Sequence, residues 1–187
     1  MTLYTLANYL HVLGAMGIVA ALCLEWTIVL RLRTAESVEQ ARQWLGLAGM
    51  QRVIGSGSLI GLLVGGLYMA GTRWGGAGWV AVGLLALVLI GALGAYNGIR
   101  LDRIRKSLVA PTGQLSAELR ERIRHSSFVL SIHVRAAVLL GVVFIMTAKP
   151  DLNASLVTLV LSVLVGMASA VPAWRQTAAG ARAVRTP

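Results

Sequence analysis

Five apolar runs, each roughly 20 residues or longer, set the tightest limit on what this chain can fold into. They cover about 4–30, 53–72, 79–99, 127–148 and 152–174. Segments of this length are what it takes to cross a hydrocarbon core about 30 Å thick. A soluble domain of 187 residues would carry far more charge than the 13% found here beside 57% hydrophobic residues, and mean hydropathy is +0.75. In lipid each backbone polar group must be satisfied within its own segment, which leaves helices as the spanning form. The expected fold is therefore all-α: a polytopic membrane bundle of five transmembrane helices in one domain over 1–175, followed by a flexible basic tail over 176–187.

The net charge of +10 would suggest nucleic acid in a soluble protein, but here its placement follows the crossings. Arg31, Arg33, Arg42 and Arg52 fall in the first connection, and Arg100, Arg103, Arg105, Lys106, Arg120, Arg122 and Arg124 in the third. The second and fourth connections hold only Arg73 and Lys149. Positive charge stays on the cytoplasmic side, so the N-terminus is expected outside and the C-terminus in the cytoplasm, a parity that five crossings satisfy. A multi-pass protein of the cytoplasmic (inner) membrane follows. Its partner is the lipid bilayer, with the basic face drawn to anionic lipid, and no nucleic acid. No basic residue precedes Arg31 and the first run is too long for a signal-peptide core, so it reads as a retained helix. The lone Cys23 reads as a small core residue.

The connections have their own signals. "TAESVEQARQWLGLAGMQR" predicts an amphipathic interfacial helix over about 35–49, with Thr34 as its N-cap and Trp44 in the headgroup layer. "TRWGGAGW" is a tight turn whose tryptophans belong to an aromatic belt. The third connection breaks at "APTGQ" and restarts at Ser116, which can cap "AELRERIR" and lead without interruption into the fourth crossing. Gly57, Gly61 and Gly65 recur every four residues, and Gly94 and Gly98 repeat that spacing. Such faces let another helix approach closely, whether in the same chain, in a second copy as a homo-oligomer, or in a partner membrane subunit.

An ionisable group within the hydrocarbon is costly and is a candidate functional residue by default. At ~1.5 Å per residue, Glu25 lies about 8 Å above the inner edge, with His133 and Arg135 at roughly 9–12 Å. Glu25 and Arg135 are natural partners, since either alone would be an uncompensated buried charge. Two residues apart on one helix, His133 and Arg135 are expected to point to opposite sides, so that only one meets the first crossing. This cluster reads either as a neutralising ion pair or as a proton or ion relay through Glu25 and His133. His11 lies about 21 Å further along its helix than Glu25, in the outer half, at the height of Met69 and Met146. Imidazole with thioether suits cuprous copper, and imidazole suits haem iron, so haem b or copper is the candidate cofactor. A structural histidine among gap-filling methionines is the other reading. One haem shared by His11 and His133 is disfavoured, because their depths differ by more than ~15 Å.

No phosphate loop, zinc-type spacing or paired catalytic carboxylates occur, and "GSGSLIG" opens an apolar crossing without a preceding strand, so the chain leans away from being an enzyme. The function classes left are a small inner-membrane metal- or haem-binding protein using His11, in electron transfer or metal handling; a proton-coupled small transporter or channel using Glu25, His133 and Arg135; and a non-catalytic accessory membrane subunit.

"YLHVLGA" (Tyr9–Ala15), "GGLYMAGTRWGGAGWVAVGL" across the second hairpin and "RAAVLLGVVFIMTAKP" (Arg135–Pro150) together resemble small bacterial membrane proteins. The group they resemble is allied to the copper-resistance protein D group and the membrane protoporphyrinogen oxidase family. The resemblance spans about residues 8–150 and implies that His11, as the first-helix histidine, is a haem ligand. The oxidase family's lysine, just after the Gly-Trp that opens the third helix, has no counterpart in "GWVAVGLLA". The resemblance therefore carries His11 alone.

Overall fold

The computed structural model, which describes residues 2–108 and 112–183 with side chains as far as Pro172, contains six helices. They are α1 (Leu3–Thr34), α2 (Val38–Arg73), α3 (Gly78–Ser107), α4 (Ala117–Arg124), α5 (Ser126–Ala148) and α6 (Leu152–Ala183). With α4 and α5 taken as one crossing, five helices are long and apolar enough to span a membrane. The protein is an all-α membrane bundle. Among the described residues, extended pairing is confined to one isolated bridge between Ser37 and Gln114.

Length is the first departure from the sequence expectation. The 32 residues of α1 and the 36 of α2 reach about 48 and 54 Å, well beyond a core of about 30 Å. The excess lies at the arginine-rich end. There Val38, Ala41 and Leu45 of α2 pack with Val29 and Leu32 of α1, Leu101 and Ile104 of α3, and Leu119 and Ile123 of α4. The interfacial helix predicted over 35–49 does not form as a separate element: from Val38 onward it is the start of α2. Its apolar face finds protein partners on three other helices, so it has no apolar stripe left to lay on a membrane surface. The cap moves accordingly. Ser37 Oγ accepts from the Gln40 N–H at 3.3 Å, while Thr34 Oγ1 donates back to the Arg31 carbonyl. Trp44 lies under the Arg31 guanidinium at 5.5 Å.

The two connections at this end tie to each other. The Val38 N–H donates to the Gly113 carbonyl at 2.8 Å, and the Leu115 N–H to the Glu36 carbonyl at 3.4 Å. Arg42 donates to the Leu108 carbonyl at 2.7 Å. Ser116 caps α4 as its position suggests, accepting from the Leu119 N–H at 3.2 Å. The uninterrupted run into the fourth crossing is corrected at His125, which leaves helical geometry (ψ 131°) and caps α5 by accepting from the Ser127 N–H. At the opposite, tryptophan-bearing end, Lys149 closes α5 in a left-handed conformation (φ 50°), and Asp151 caps α6 through the Ala154 N–H at 2.8 Å. The backbone of α6 stays helical to Ala183, so the tail expected over 176–187 begins as helix; 184–187 lie outside the described residues.

Helix α1 packs along α2, while α5 packs with α3 and α6. The first contact is close because glycines line it: a Cβ on Gly14 would sit 2.6 Å from the Leu62 nitrogen, and one on Gly65 would strike the Ala7 carbonyl oxygen. The predicted glycine faces are only partly the ones used. A Cβ on Gly61 would come no closer than 3.6 Å to the Leu10 oxygen, and on Gly57 or Gly98 it would meet nothing within 4 Å. Cys23 is exposed on the perimeter of α1, not in the core.

Candidate functional site

Two sites emerge from the polar residues, one in each half. Toward the tryptophan end, the close crossing of α1 over α2 sets His11 against the backbone of α2. Its Nδ1 lies 2.9 Å from the Leu62 carbonyl oxygen. A carbonyl can only accept, so Nδ1 carries the proton and donates; in the neutral ring the lone pair then belongs to Nε2. Gly66 makes room for the ring: a Cβ there would stand 2.9 Å from Nδ1.

The His11 side chain borders an apolar cavity of about 310 Å³ between α1, α2, α3 and α5. Met69 and Met146 border the same cavity, so the three residues matched by depth in the sequence share one wall system. Met146 reaches in over Gly83, whose missing side chain leaves space for the methyl end of the thioether. Trp74 and Trp79 close the end, ring against ring at 5.4 Å in an edge-to-face pair, with Lys149 Nζ 4.1 Å above Trp74. Val12, Met16, Leu84 and Val143 edge the cavity and are exposed, which opens it sideways to the apolar perimeter. Among its lining residues His11 is the one titratable side chain.

The chain matches no family model, no curated protein and no solved structure.

The second site is a polar knot toward the arginine-rich half. Four helices each send one side chain to it. The Glu25 carboxylate of α1 accepts from Arg135 Nη1 of α5 at 2.5 Å, from Asn97 Nδ2 of α3 at 2.7 Å, and from Gln51 Nε2 of α2 at 3.2 Å. Glu25 is 1% exposed, Asn97 0% and Arg135 6%, so the ion pair is sealed in the protein. Gly94 serves this site: a Cβ there would lie 3.0 Å from Arg135 Nη2, so the glycine accommodates a guanidinium where a helix backbone had been expected. Asn97 Oδ1 and Arg135 Nε have no partner among the described residues.

His133 stands apart from this knot. Its Nδ1 donates to the Val129 carbonyl of its own helix at 2.8 Å, and its ring lies 4.7 Å from that of Trp26. The expectation that only one of His133 and Arg135 meets the first crossing is corrected, because they straddle α1 at consecutive residues, Trp26 and Glu25. Among the described residues no direct hydrogen bond links His133 to Glu25. Gln51 was missed in the sequence because it fell in the segment read as interfacial, and Gly66 because the apparent glycine period pointed to its neighbour Gly65.

Proposed function

We propose that this is a small inner-membrane protein, N-terminus outside, that binds a soft metal ion through His11 in the cavity beside Met69 and Met146, and that it acts in metal handling or electron transfer. One observation carries the reading. The Leu62 carbonyl accepts from Nδ1, which leaves the Nε2 lone pair of the neutral ring available to a metal, the same backbone support that orients ligating histidines in metal sites. The residues fit one class of ion. An imidazole nitrogen and two thioethers are neutral, soft donors suited to cuprous copper, and among the residues lining the cavity there is no carboxylate or thiolate to favour calcium, magnesium or zinc. A monovalent ion also carries the smallest charge into apolar surroundings. When bound, copper would supply a one-electron couple. The protein's own part is to hold Nε2 in place, keep the cavity dry and leave an approach from the perimeter.

A second reading, haem iron that His11 would hold, draws on the apolar lining of the cavity and its opening to the perimeter. The resemblance of the first-helix histidine to a haem ligand points the same way. Elemental analysis and a visible spectrum of the purified full chain separate these. Near-stoichiometric copper without a Soret band supports the first reading, a Soret band supports the second, and neither signal after expression with copper and haem precursor overturns both.

The knot at Glu25 supports a different role. A carboxylate with three donors from three other helices holds four helices in register.

A further inference from the structure

A pocket of about 330 Å³ at the arginine-rich end is bounded by Arg100, Arg103, Ile104 and Arg122. Three guanidinium groups around one opening is an unusual charge density, and their existing partners leave most of that charge uncompensated. Arg100 donates to two neutral hydroxyls, the Tyr96 phenol at 3.0 Å and the Ser127 side chain, and lies over the Phe128 ring at 4.6 Å. Arg122 pairs with Glu118 at 2.7 Å. The Arg103 side chain makes no hydrogen bond or ion pair among the described residues. Asp102, next to Arg103 in the chain, is taken by Arg105 at 3.3 Å and Lys106 at 3.0 Å. The tyrosine, serine and phenylalanine contacts hold Arg100 in a fixed pose, which suits the planar, forked recognition of a phosphate group.

The surroundings tell which phosphate. On α3, Leu85, Val88, Ala92, Tyr96 and Ile99 are exposed at helical spacing, and the same row continues one turn later to Arg103. An apolar stripe that leads directly into an arginine pocket matches a molecule with acyl chains and an anionic head. We propose that Arg100, Arg103 and Arg122 hold the phosphate of an anionic phospholipid whose chains lie along this face of α3. The site is independent of the His11 cavity, which lies toward the other end of the bundle.

The test is native mass spectrometry of the delipidated full chain in detergent, titrated separately with phosphatidic acid, phosphatidylcholine and inorganic phosphate. One phosphatidic acid is expected to bind, about tenfold more tightly than phosphatidylcholine. The double variant Arg103→Gln/Arg122→Gln, both on exposed positions, is expected to weaken it by about thirtyfold. Arg103→Lys, which keeps charge and loses the fork, is expected to fall between. The control Arg31→Gln/Arg52→Gln removes the same charge from the same end and is expected to cost less than about threefold. Equal losses in the two double variants would overturn the site in favour of diffuse charge. Equal binding of the two lipids would overturn it as well, and displacement of the lipid by an equal concentration of inorganic phosphate would show that the pocket reads free phosphate.

Discussion

Toward the arginine-rich end, four helices each send one side chain to the Glu25 carboxylate and bury the result in protein. Toward the tryptophan end a single imidazole stands at the wall of an apolar cavity, with one nitrogen bound to a carbonyl and the other left over. Both regions place ionisable groups where lipid would make them costly, yet they meet that cost differently. The first pairs its buried charges with each other, which is what a structural tie requires. The second keeps an imidazole with one ring nitrogen uncommitted next to empty volume, which is what a ligand site requires.

The contrast is most exposed to Arg135→Met. This leaves the Glu25 carboxylate buried without its cation, and the expected loss of stability is about 3–5 kcal/mol, read as a lowered unfolding temperature in detergent. Copper content per folded chain should not change. If Arg135→Met unfolds no earlier than an exposed arginine variant, the knot is not a structural tie. Glu25→Leu/Arg135→Met should recover much of the loss, because no uncompensated charge remains.

Gly66→Ala is expected to cost less stability than Arg135→Met but to reach metal binding. Its methyl group would crowd His11 Nδ1 at 2.9 Å, costing about 1–3 kcal/mol of packing, and should impair metal binding by turning the imidazole. Metal binding unchanged in this variant would detach the His11 orientation from the ligand. His11→Ala should remove the metal signal while lowering stability by only about 1 kcal/mol, the worth of its one hydrogen bond. The smallest effect belongs to His133→Phe, which keeps a ring against Trp26 and gives up one hydrogen bond within its own helix. Less than about 1 kcal/mol is expected in thermal unfolding, with no change in proton flux across liposomes. A lost pH-dependent flux would instead favour a relay through Glu25 and His133.

Much of this was legible from composition and spacing. The five crossings follow from apolar run length, and the Glu25–Arg135 pairing follows from the cost of an isolated charge at matched depth. Depth also grouped His11 with Met69 and Met146. What the sequence hid was rotation and reach. Helical spacing placed His133 and Arg135 on opposite sides, but both side chains are long enough to straddle α1. The glycine period was visible, yet which glycine touches a neighbour depends on the crossing of α1 over α2: Gly14 and Gly65 do, and Gly57 meets nothing. The extension of α2 below the crossing was read as interfacial because its amphipathic face could be satisfied equally by a membrane surface or by protein. Only the positions of α1, α3 and α4 decide between them.

The most direct test is the affinity of the folded chain for cuprous ion, titrated against a cuprous chelator in detergent, for the unaltered protein and His11→Ala side by side. The expected result is about one cuprous ion per chain, with affinity lowered by at least about a hundredfold in His11→Ala and helical content unchanged. Equal affinity in the two proteins would contradict His11 as the ligand.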